Sequence, residues 1–245
     1  DPDNAGGGKI GCTYEPPSTA RMVFFMPKAR VVIFANGFLS DPVAARRLLQ
    51  PEDVLYAADA GASHILRMGL LPALVVGDLD SLPEEDLQKL RADGVRMVQH
   101  PQDKALTDLE LTINSALEEG HRSFLIVAAL GGRLDMTLSN LSLLTRPDLL
   151  NLDVRLDDGM EQVLFVRGET HISGHAGDII SLVAWGGPVE QVTTSGLRWP
   201  LSDDRLESYE TRTISNEMQV AEAVIRIGSG LLLCIHRRRS PPGIS

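Results

Sequence analysis

The chain has 245 residues, of which 43% are hydrophobic and 23% charged, the composition of a globular protein long enough for one large domain or two modest ones. It carries 33 acidic and 23 basic residues, a net charge of −10, and its basic residues are scattered, which excludes nucleic-acid binding. The two cysteines, Cys12 and Cys234, have no metal-ligand spacing and form no disulfide framework, which favours a reducing cytoplasm.

The two ends of the chain are expected to be disordered. Residues 1–29 are rich in Gly and Pro and predict a disordered leader, and residues 240–245 predict a disordered tail. The most apolar early stretch, residues 22–39, is interrupted by Pro27, Lys28 and Arg30. We therefore expect neither a membrane span nor a signal peptide there, and no membrane association.

From Val31 onward, short apolar runs alternate with segments of helical periodicity. This pattern predicts strands at 31–34, 54–57, 74–76, 95–98 and 124–128, with helices near 42–49, 60–68, 83–92 and 109–117 between them. Continuously apolar strands between helices indicate a mostly parallel sheet with helices on both faces. The predicted α/β domain spans residues 30–157.

The character of the sequence changes after residue 157. Strand-like runs separated by Gly, Pro, Asp and Asn follow one another with no long helical period. Strands are predicted at 163–166, 179–183, 189–194, 206–213, 221–227 and 231–235. Residues 158–239 therefore predict a smaller all-β domain, a sandwich.

Acidic residues follow four successive strands of the predicted parallel sheet. They are Asp59, the pair Asp78 and Asp80, Asp108, and Asp135. Because ligands bind outside the carboxyl ends of the strands in such a sheet, these side chains are expected to meet at one rim. That rim is the candidate functional site.

Asp78 and Asp80 are two residues apart, so in an extended segment both carboxylates point the same way and can share one divalent cation. Magnesium suits them, because it prefers oxygen ligands and is held by one or two carboxylates together with substrate phosphates. Gly131 and Gly132 allow close backbone approach at a strand-to-helix turn, and Arg133 adds a planar group that binds phosphate. Together these residues predict phosphoryl transfer.

Each motif also has a purely structural interpretation. Thr107 and Glu110 have the spacing of a capping box at a helix start, and so do Ser81 and Glu84, so Ser81 is assigned no chemistry. Asp135 can equally cap the helix that follows it. Only the occurrence of acids after four strands favours a functional site over these alternatives.

The ordered set of motifs resembles the thiamin pyrophosphokinase family, over about Val31 to Ile235. The similar segments are Asp59-Ala60-Gly61-Ala62, Gly77-Asp78-Leu79-Asp80-Ser81, Thr107-Asp108, Gly131-Gly132-Arg133-Leu134-Asp135, Thr193-Thr194-Ser195-Gly196-Leu197-Arg198-Trp199-Pro200-Leu201 and Ile214-Ser215-Asn216-Glu217.

The resemblance implies transfer of a pyrophosphoryl group from ATP to the thiamin hydroxyl, giving thiamin diphosphate and AMP. It also implies a homodimer whose active sites lie between the first domain of one subunit and the second domain of the other. By the same resemblance, Mg²⁺ would be bound by Asp78, Asp80 and Asp108. Asp59 would be a further acid of the site, and the four aspartates together would be the catalytic residues.

The remaining roles also follow from the resemblance. ATP phosphates would be bound by Gly131, Gly132, Arg133 and Asp135, and thiamin by Trp199, Ser215 and Asn216. An indole face attracts cations, which suits the thiazolium of thiamin, although Trp199 could equally lie in the sandwich core.

One departure from the family pattern concerns the metal site. Ala105 stands where the family usually has Asp, and Asp103 lies nearby but shifted. Two other functions remain open from the sequence: a different metal-dependent transferase that uses nucleotides, or a non-catalytic protein that binds thiamin or nucleotide.

Overall fold

A computed structural model describes residues 28–103 and 105–239. Cys12, the predicted tail at 240–245 and all but the last two residues of the predicted leader lie outside these ranges. Within them, no helix has the length and hydropathy needed to cross a membrane.

The first half of the described chain alternates strands and helices as the sequence predicts. Its elements are β1 (Val31–Phe34), α1 (Pro42–Arg46), β2 (Val54–Ala58), α2 (Gly61–Arg67), β3 (Leu74–Gly77), α3 (Glu84–Ala92), β4 (Arg96–Gln99), α4 (Asp108–Glu118), β5 (Ser123–Val127) and α5 (Leu134–Leu143).

The second half is almost entirely β-structure after a short 3₁₀ helix at Pro147–Leu149. Its strands are β6 (Asp153–Asp157), β7 (Glu161–Val166), β8 (Glu169–Ser173), β9 (Ile179–Ala184), β10 (Val189–Ser195), β11 (Asp204–Leu206), β12 (Asn216–Glu217), β13 (Glu222–Arg226) and β14 (Leu232–Arg237).

The strand predicted at 206–213 is wrong. Strand β11 ends at Leu206, and the chain then turns, leaving Tyr209 81% exposed. Arg212 closes this loop by donating to the Arg205 carbonyl and pairing with Asp204. The backbone hydrogen bonds of a strand are thus replaced by side-chain contacts within the loop.

The larger sheet has ten strands in the order β12-β9-β14-β7-β6-β5-β1-β2-β3-β4. All neighbouring strands in the run β6-β5-β1-β2-β3-β4 are parallel, whereas β6 pairs with β7 in antiparallel fashion. Alternate residues of β1 enter different cores: Val31 and Ile33 pack on the side of α4 and α5, Val32 and Phe34 on the side of α1 to α3. Helices therefore cover both faces, as predicted.

The smaller sheet has four antiparallel strands in the order β11-β10-β13-β8. Its inner residues, such as Val192 and Ile225, share a buried core with Ile180, Leu182 and Leu232 from the end of the larger sheet. This is the predicted α/β part followed by a small antiparallel β-part. The domain boundary at residue 157 stays a prediction, since β7 and β14 continue the larger sheet beyond it.

Candidate active site

The topology of the parallel strands sets the position of the main cavity. The chain adds β2, β3 and β4 on one side of β1 and then places β5 on the other side. Such a switch point leaves a crevice at the carboxyl ends of the two central strands. A cavity of about 580 Å³ lies there, and its lining includes Asn36 and Phe38 after β1, and Ala129 and Gly131 after β5.

Three acids of the predicted site come together at this rim. One carboxylate oxygen from each of Asp59, Asp78 and Asp80 lies within 4.8 Å of the other two, close enough to share a metal ion. Asp108 lines the same cavity with Asp59 and Asp78. The structure thus brings Asp59, Asp78, Asp80 and Asp108, which the sequence predicts to meet at one rim, to the same end of the sheet.

Gly77 explains how Asp59 and Asp108 approach this point. A Cβ atom on Gly77 would lie 2.9 Å from the Asp59 Cβ and 3.2 Å from Asp108 Oδ1. Any side chain at this position would displace one of the two acids. The glycine that ends β3 thus leaves the space that the acids need.

Asp59 is the most buried of these acids, with 5% of its surface exposed. It has a φ of +49°, a left-handed conformation that Asp tolerates better than most residues. Burial raises the pKa of Asp59, and the charges of Asp108 and Asp78 raise it further, although hydrogen bonds from Ala60 and Ser81 act in the opposite direction. Among the described residues, Asp59 Oδ1 is buried with no hydrogen-bond partner.

These features test whether the residues fit a magnesium ion. Three carboxylates at this spacing repel one another without a cation, and a buried carboxylate oxygen without a donor is unfavourable. A hard divalent cation would satisfy the oxygen and neutralise the repulsion. The donor set therefore fits Mg²⁺.

Asp78 and Asp80 approach each other in a different way from the extended segment that the sequence predicts. Leu79 between them has a φ of +67°, so the segment turns. The Asp80 backbone N–H donates to Asp78 Oδ1 at 3.2 Å, and the Ser81 hydroxyl donates to Asp80 Oδ1 at 3.1 Å. Gln102 Nε2 donates to the other oxygen of Asp80.

Asp108 lies in the first turn of α4, and the helix cap before it is the one that the sequence predicts. Thr107 is the N-cap, and its hydroxyl accepts from the Glu110 backbone N–H at 3.2 Å. Ser81 is not a cap, since α3 begins after Pro83 with no side-chain cap. Ser81 instead contacts Asp80 and lines the cavity, so sequence reasoning missed it.

The glycine-rich turn leads from β5 into α5 at the opposite side of the cavity. Gly131 and Gly132 have φ values of +77° and +74°, which favour glycine. Arg133 forms two hydrogen bonds with Asp135, Nε to Oδ1 at 3.1 Å and Nη2 to Oδ2 at 2.6 Å. Asp135 also accepts a hydrogen bond from the Met136 backbone N–H. Because Asp135 lies inside the first turn of α5 and the N-cap position is Arg133, Asp135 does not cap the helix but holds the arginine at its start.

The predicted thiamin residues lie in the β-part and do not line this cavity. Asn216 holds Trp199 through both backbone groups, accepting from its N–H at 3.1 Å and donating to its carbonyl at 2.7 Å. Trp199 is 57% exposed, so it is not a core residue, and the Arg198 guanidinium lies 4.9 Å from its ring centroid. Ser215, at φ +60°, donates its backbone N–H to the Ser181 hydroxyl.

Other residues of the cavity carried no signal in the sequence. Asn140 is buried on α5 and donates to the Ala129 carbonyl at 2.9 Å, and Asn36, Phe38 and Gln102 reach the lining from loops. Single polar or aromatic residues are common in loops, so their presence in the sequence does not indicate a functional site. Only the loop geometry, which the sequence pattern does not specify, brings these side chains to the site.

Comparison with known proteins gives consistent results over both halves of the chain. Residues 45–156 match the family described as thiamin pyrophosphokinase, catalytic domain, and residues 169–232 match its vitamin B1 binding domain. Thiamine pyrophosphokinase of Bacillus subtilis is 27% identical over 72% of this chain and 84% of its own. Thiamine pyrophosphokinase 1 of Arabidopsis thaliana is 30% identical over 69% of this chain and 67% of its own.

Solved structures share the fold. The Bacillus subtilis thiamine pyrophosphokinase structure superposes with a TM-score of 0.78 at 24% identity, and the superposition covers 86% of this chain and 100% of the Bacillus subtilis chain. The yeast thiamin pyrophosphokinase structure gives a TM-score of 0.68 at 16% identity, covering 86% of each chain. On the two family matches and these relatives, the chain belongs to the thiamin pyrophosphokinase family of enzymes.

Proposed function

We propose that the protein transfers the pyrophosphoryl group of ATP to the hydroxyl of thiamin, forming thiamin diphosphate and AMP, with Mg²⁺ as the required ion. The observation that carries this proposal is the convergence of Asp59, Asp78 and Asp80 within 4.8 Å beside a cavity that the glycine-rich turn also lines. A polyphosphate with its metal needs both features, negative ligands for the metal and backbone amides for the phosphates.

In this proposal the acids hold the ion and the α5 turn holds the phosphates. Asp78 and Asp80 would bind Mg²⁺ together with Asp59, which lies within 4.8 Å of them, and Asp108, a metal ligand by the family resemblance, lines the same cavity. The bound ion would neutralise charge on the transferring group. Gly131 and Gly132 line the cavity, and their backbone amides would bind phosphate oxygens. Asp135 orients Arg133 through Nε and Nη2, which aims the guanidinium from the start of α5.

The acid cluster forms although position 105 is Ala. Asp59, Asp78 and Asp80 come within 4.8 Å of one another, and Gln102 contacts Asp80 from the same loop. We therefore expect turnover rather than binding alone.

The test of this function is a product assay with purified protein, ATP, thiamin and Mg²⁺, in which thiamin diphosphate and AMP are both quantified. Equal, magnesium-dependent formation of the two products is expected. Asp80→Asn should abolish turnover while the protein stays folded, because Asp80 is exposed and makes its contacts at the rim. Turnover at the wild-type rate in that variant would overturn the metal assignment.

We further propose that thiamin binds to Trp199, Ser215 and Asn216 of a second subunit. Within one chain these residues do not line the acidic cavity, and α5 beside that cavity exposes Leu134 (72%) and Leu138 (47%). Apolar side chains exposed next to an incomplete site support a contact with another copy. The division of roles between residues 30–157 and 158–239 belongs to the same proposal.

Mixing Asp80→Asn with Trp199→Ala tests this arrangement, at a thiamin concentration too low for Trp199→Ala alone to turn over. If the sites are shared, a heterodimer of Asp80→Asn and Trp199→Ala contains one site with both changes and one with neither. After subunit exchange, about a quarter of all sites should therefore be intact, and activity should return. A mixture that exchanges subunits but stays inactive would contradict the shared site.

A cytoplasmic location is proposed from the cysteines. Cys234 is a free, buried thiol, and the sequence contains only one other cysteine, so no disulfide framework stabilises the fold. Detection of the protein only in an oxidising compartment would contradict this.

A further inference from the structure

Three large apolar side chains are exposed in the same cavity that the acids line. Phe38 is 67% exposed, Leu106 39% and Met136 37%, and all three belong to the lining. The lining therefore offers both charged groups, for phosphate and metal, and apolar surface for a part of the ligand that has no charge.

Phe38 is exposed on a loop that is otherwise held firmly. Before it, the Gly37 N–H donates to the Ala128 carbonyl at 2.8 Å, and His64 Nε2 lies 3.0 Å from the Gly37 carbonyl oxygen. After it, Leu39 is buried in the core. The loop therefore fixes the position of Phe38, while the ring itself has most of its surface in solvent.

Gly37 also shows that this loop is packed closely against the end of β5. A Cβ atom at Gly37 would lie 2.2 Å from the Ala128 carbonyl oxygen, so only glycine allows the contact. The loop carrying Phe38 and the turn carrying Gly131 thus lie on the two sides of the switch point between β1 and β5. One ligand in this crevice can touch both.

We propose that Phe38, together with Leu106 and Met136 of the same lining, forms the subsite for the base of the nucleotide, which stacks on the Phe38 ring. This inference rests on the proposed use of ATP and adds which residues bind its base. A nucleotide has a charged polyphosphate end and a flat aromatic end, and the lining supplies groups for both ends.

On the Phe38 ring the base is recognised by its face. Both backbone polar groups of Gly37, the residue before Phe38, are already engaged, with Ala128 and His64. Stacking on an aromatic ring tolerates different bases, because every base has a π-face. Removal of the ring should therefore weaken ATP and GTP by similar factors.

The test is equilibrium binding in the presence of Mg²⁺ and the absence of thiamin, with ATP, GTP and inorganic triphosphate as ligands. For Phe38→Ala we expect Kd to rise about 5- to 150-fold for both nucleotides, the range for loss of one stacked base. Inorganic triphosphate, which has no base, should bind within about twofold of wild type. Phe38→Tyr keeps the ring and should bind all three ligands like wild type.

Tyr209→Ala is the matched control, since it removes an aromatic side chain that is 81% exposed and does not line the cavity. It should change none of the three affinities. Equal Kd values for ATP in wild type and Phe38→Ala would overturn the subsite, and so would an equal loss for ATP and triphosphate. A change of oligomeric state with unchanged nucleotide affinity would assign Phe38 to a contact between copies and would also overturn it.

The outcomes separate this inference from the proposed function. If wild type forms thiamin diphosphate and AMP but Phe38→Ala binds ATP normally, only the subsite fails. If Phe38→Ala instead weakens thiamin alone, the ring belongs to the acceptor and the subsite fails. If wild type binds neither ATP nor triphosphate with Mg²⁺, the proposed function fails, and the subsite with it.

Discussion

The sharpest consequence of the acid cluster is that Asp59→Asn should stabilise the metal-free protein. Asp59 is buried beside Asp78 and Asp80, and all three offer oxygens within 4.8 Å. Asn has nearly the same shape as Asp and also tolerates the φ of +49° at this position. The substitution therefore removes a negative charge and leaves the backbone unchanged.

The magnitude follows from the spacing. Two full charges at 4.8 Å repel by about 3 kcal/mol at an effective dielectric constant of about 20. Asp80 is exposed and Asp78 half-buried, so water screens part of this repulsion. We expect a gain of about 1–2 kcal/mol in the free energy of unfolding, or a rise in Tm of about 2–8 °C.

Thermal unfolding in EDTA and in Mg²⁺ provides the assay. In EDTA, Asp59→Asn should melt above wild type, whereas Mg²⁺ should raise the Tm of wild type more than that of the variant, because binding to the folded state stabilises it. Asp203→Asn is the control, since Asp203 is exposed, has a similar φ of +56° and lies outside the cluster. An Asp59→Asn variant that melts below wild type in EDTA would refute the repulsion argument.

Three further predictions concern other buried groups. Gly77→Ala should lower kcat/KM with a loss of about 1–3 kcal/mol in stability, because its Cβ would lie 2.9 Å from the Asp59 Cβ; wild-type kinetics would refute this. Burial raises the pKa of Asp178, but the backbone N–H groups and His236 outweigh it and hold that pKa below its usual range. The ionised form therefore stabilises the fold at pH values above the unfolded-state pKa. Asp178→Asn should lower the free energy of unfolding, measured in urea at neutral pH, by about 2–3 kcal/mol, and the difference from wild type should shrink as the pH falls. A difference in unfolding free energy that does not change with pH would contradict this. Burial raises the pKa of Cys234 to about 12. In a Cys12→Ser variant, the Cys234 thiol should therefore react with a disulfide reagent only after the protein unfolds. Rapid reaction of the folded variant would contradict the burial of Cys234.

Hydrophobic pattern was sufficient to predict most of the fold. Runs such as Val31–Phe34 and Leu74–Gly77 are buried on both faces, so their composition alone identifies central parallel strands. The wrong strand at 206–213 also had β-type composition, but it has no neighbouring strand along most of its length. Strand pairing depends on residues far away in the chain, which local pattern does not report.

The candidate site was predictable where it depends on strand ends and unpredictable where it depends on loops. Asp59 and Asp78 follow strands directly, so the sheet brings them together. The left-handed turn at Leu79 and the contact from Gln102 to Asp80 arise from loop conformation, and no periodicity signals them. Phe38 belongs to the same group, because its position depends on how Gly37 packs against β5.

The most direct test of the proposed reaction is to follow the β-phosphate of ATP. With ATP radiolabelled on that phosphate, thiamin and Mg²⁺, pyrophosphoryl transfer predicts that the label appears in thiamin diphosphate, in amounts equal to unlabelled AMP. Label retained in ADP, with thiamin monophosphate as the other product, would contradict pyrophosphoryl transfer and with it the proposed function of this acidic site.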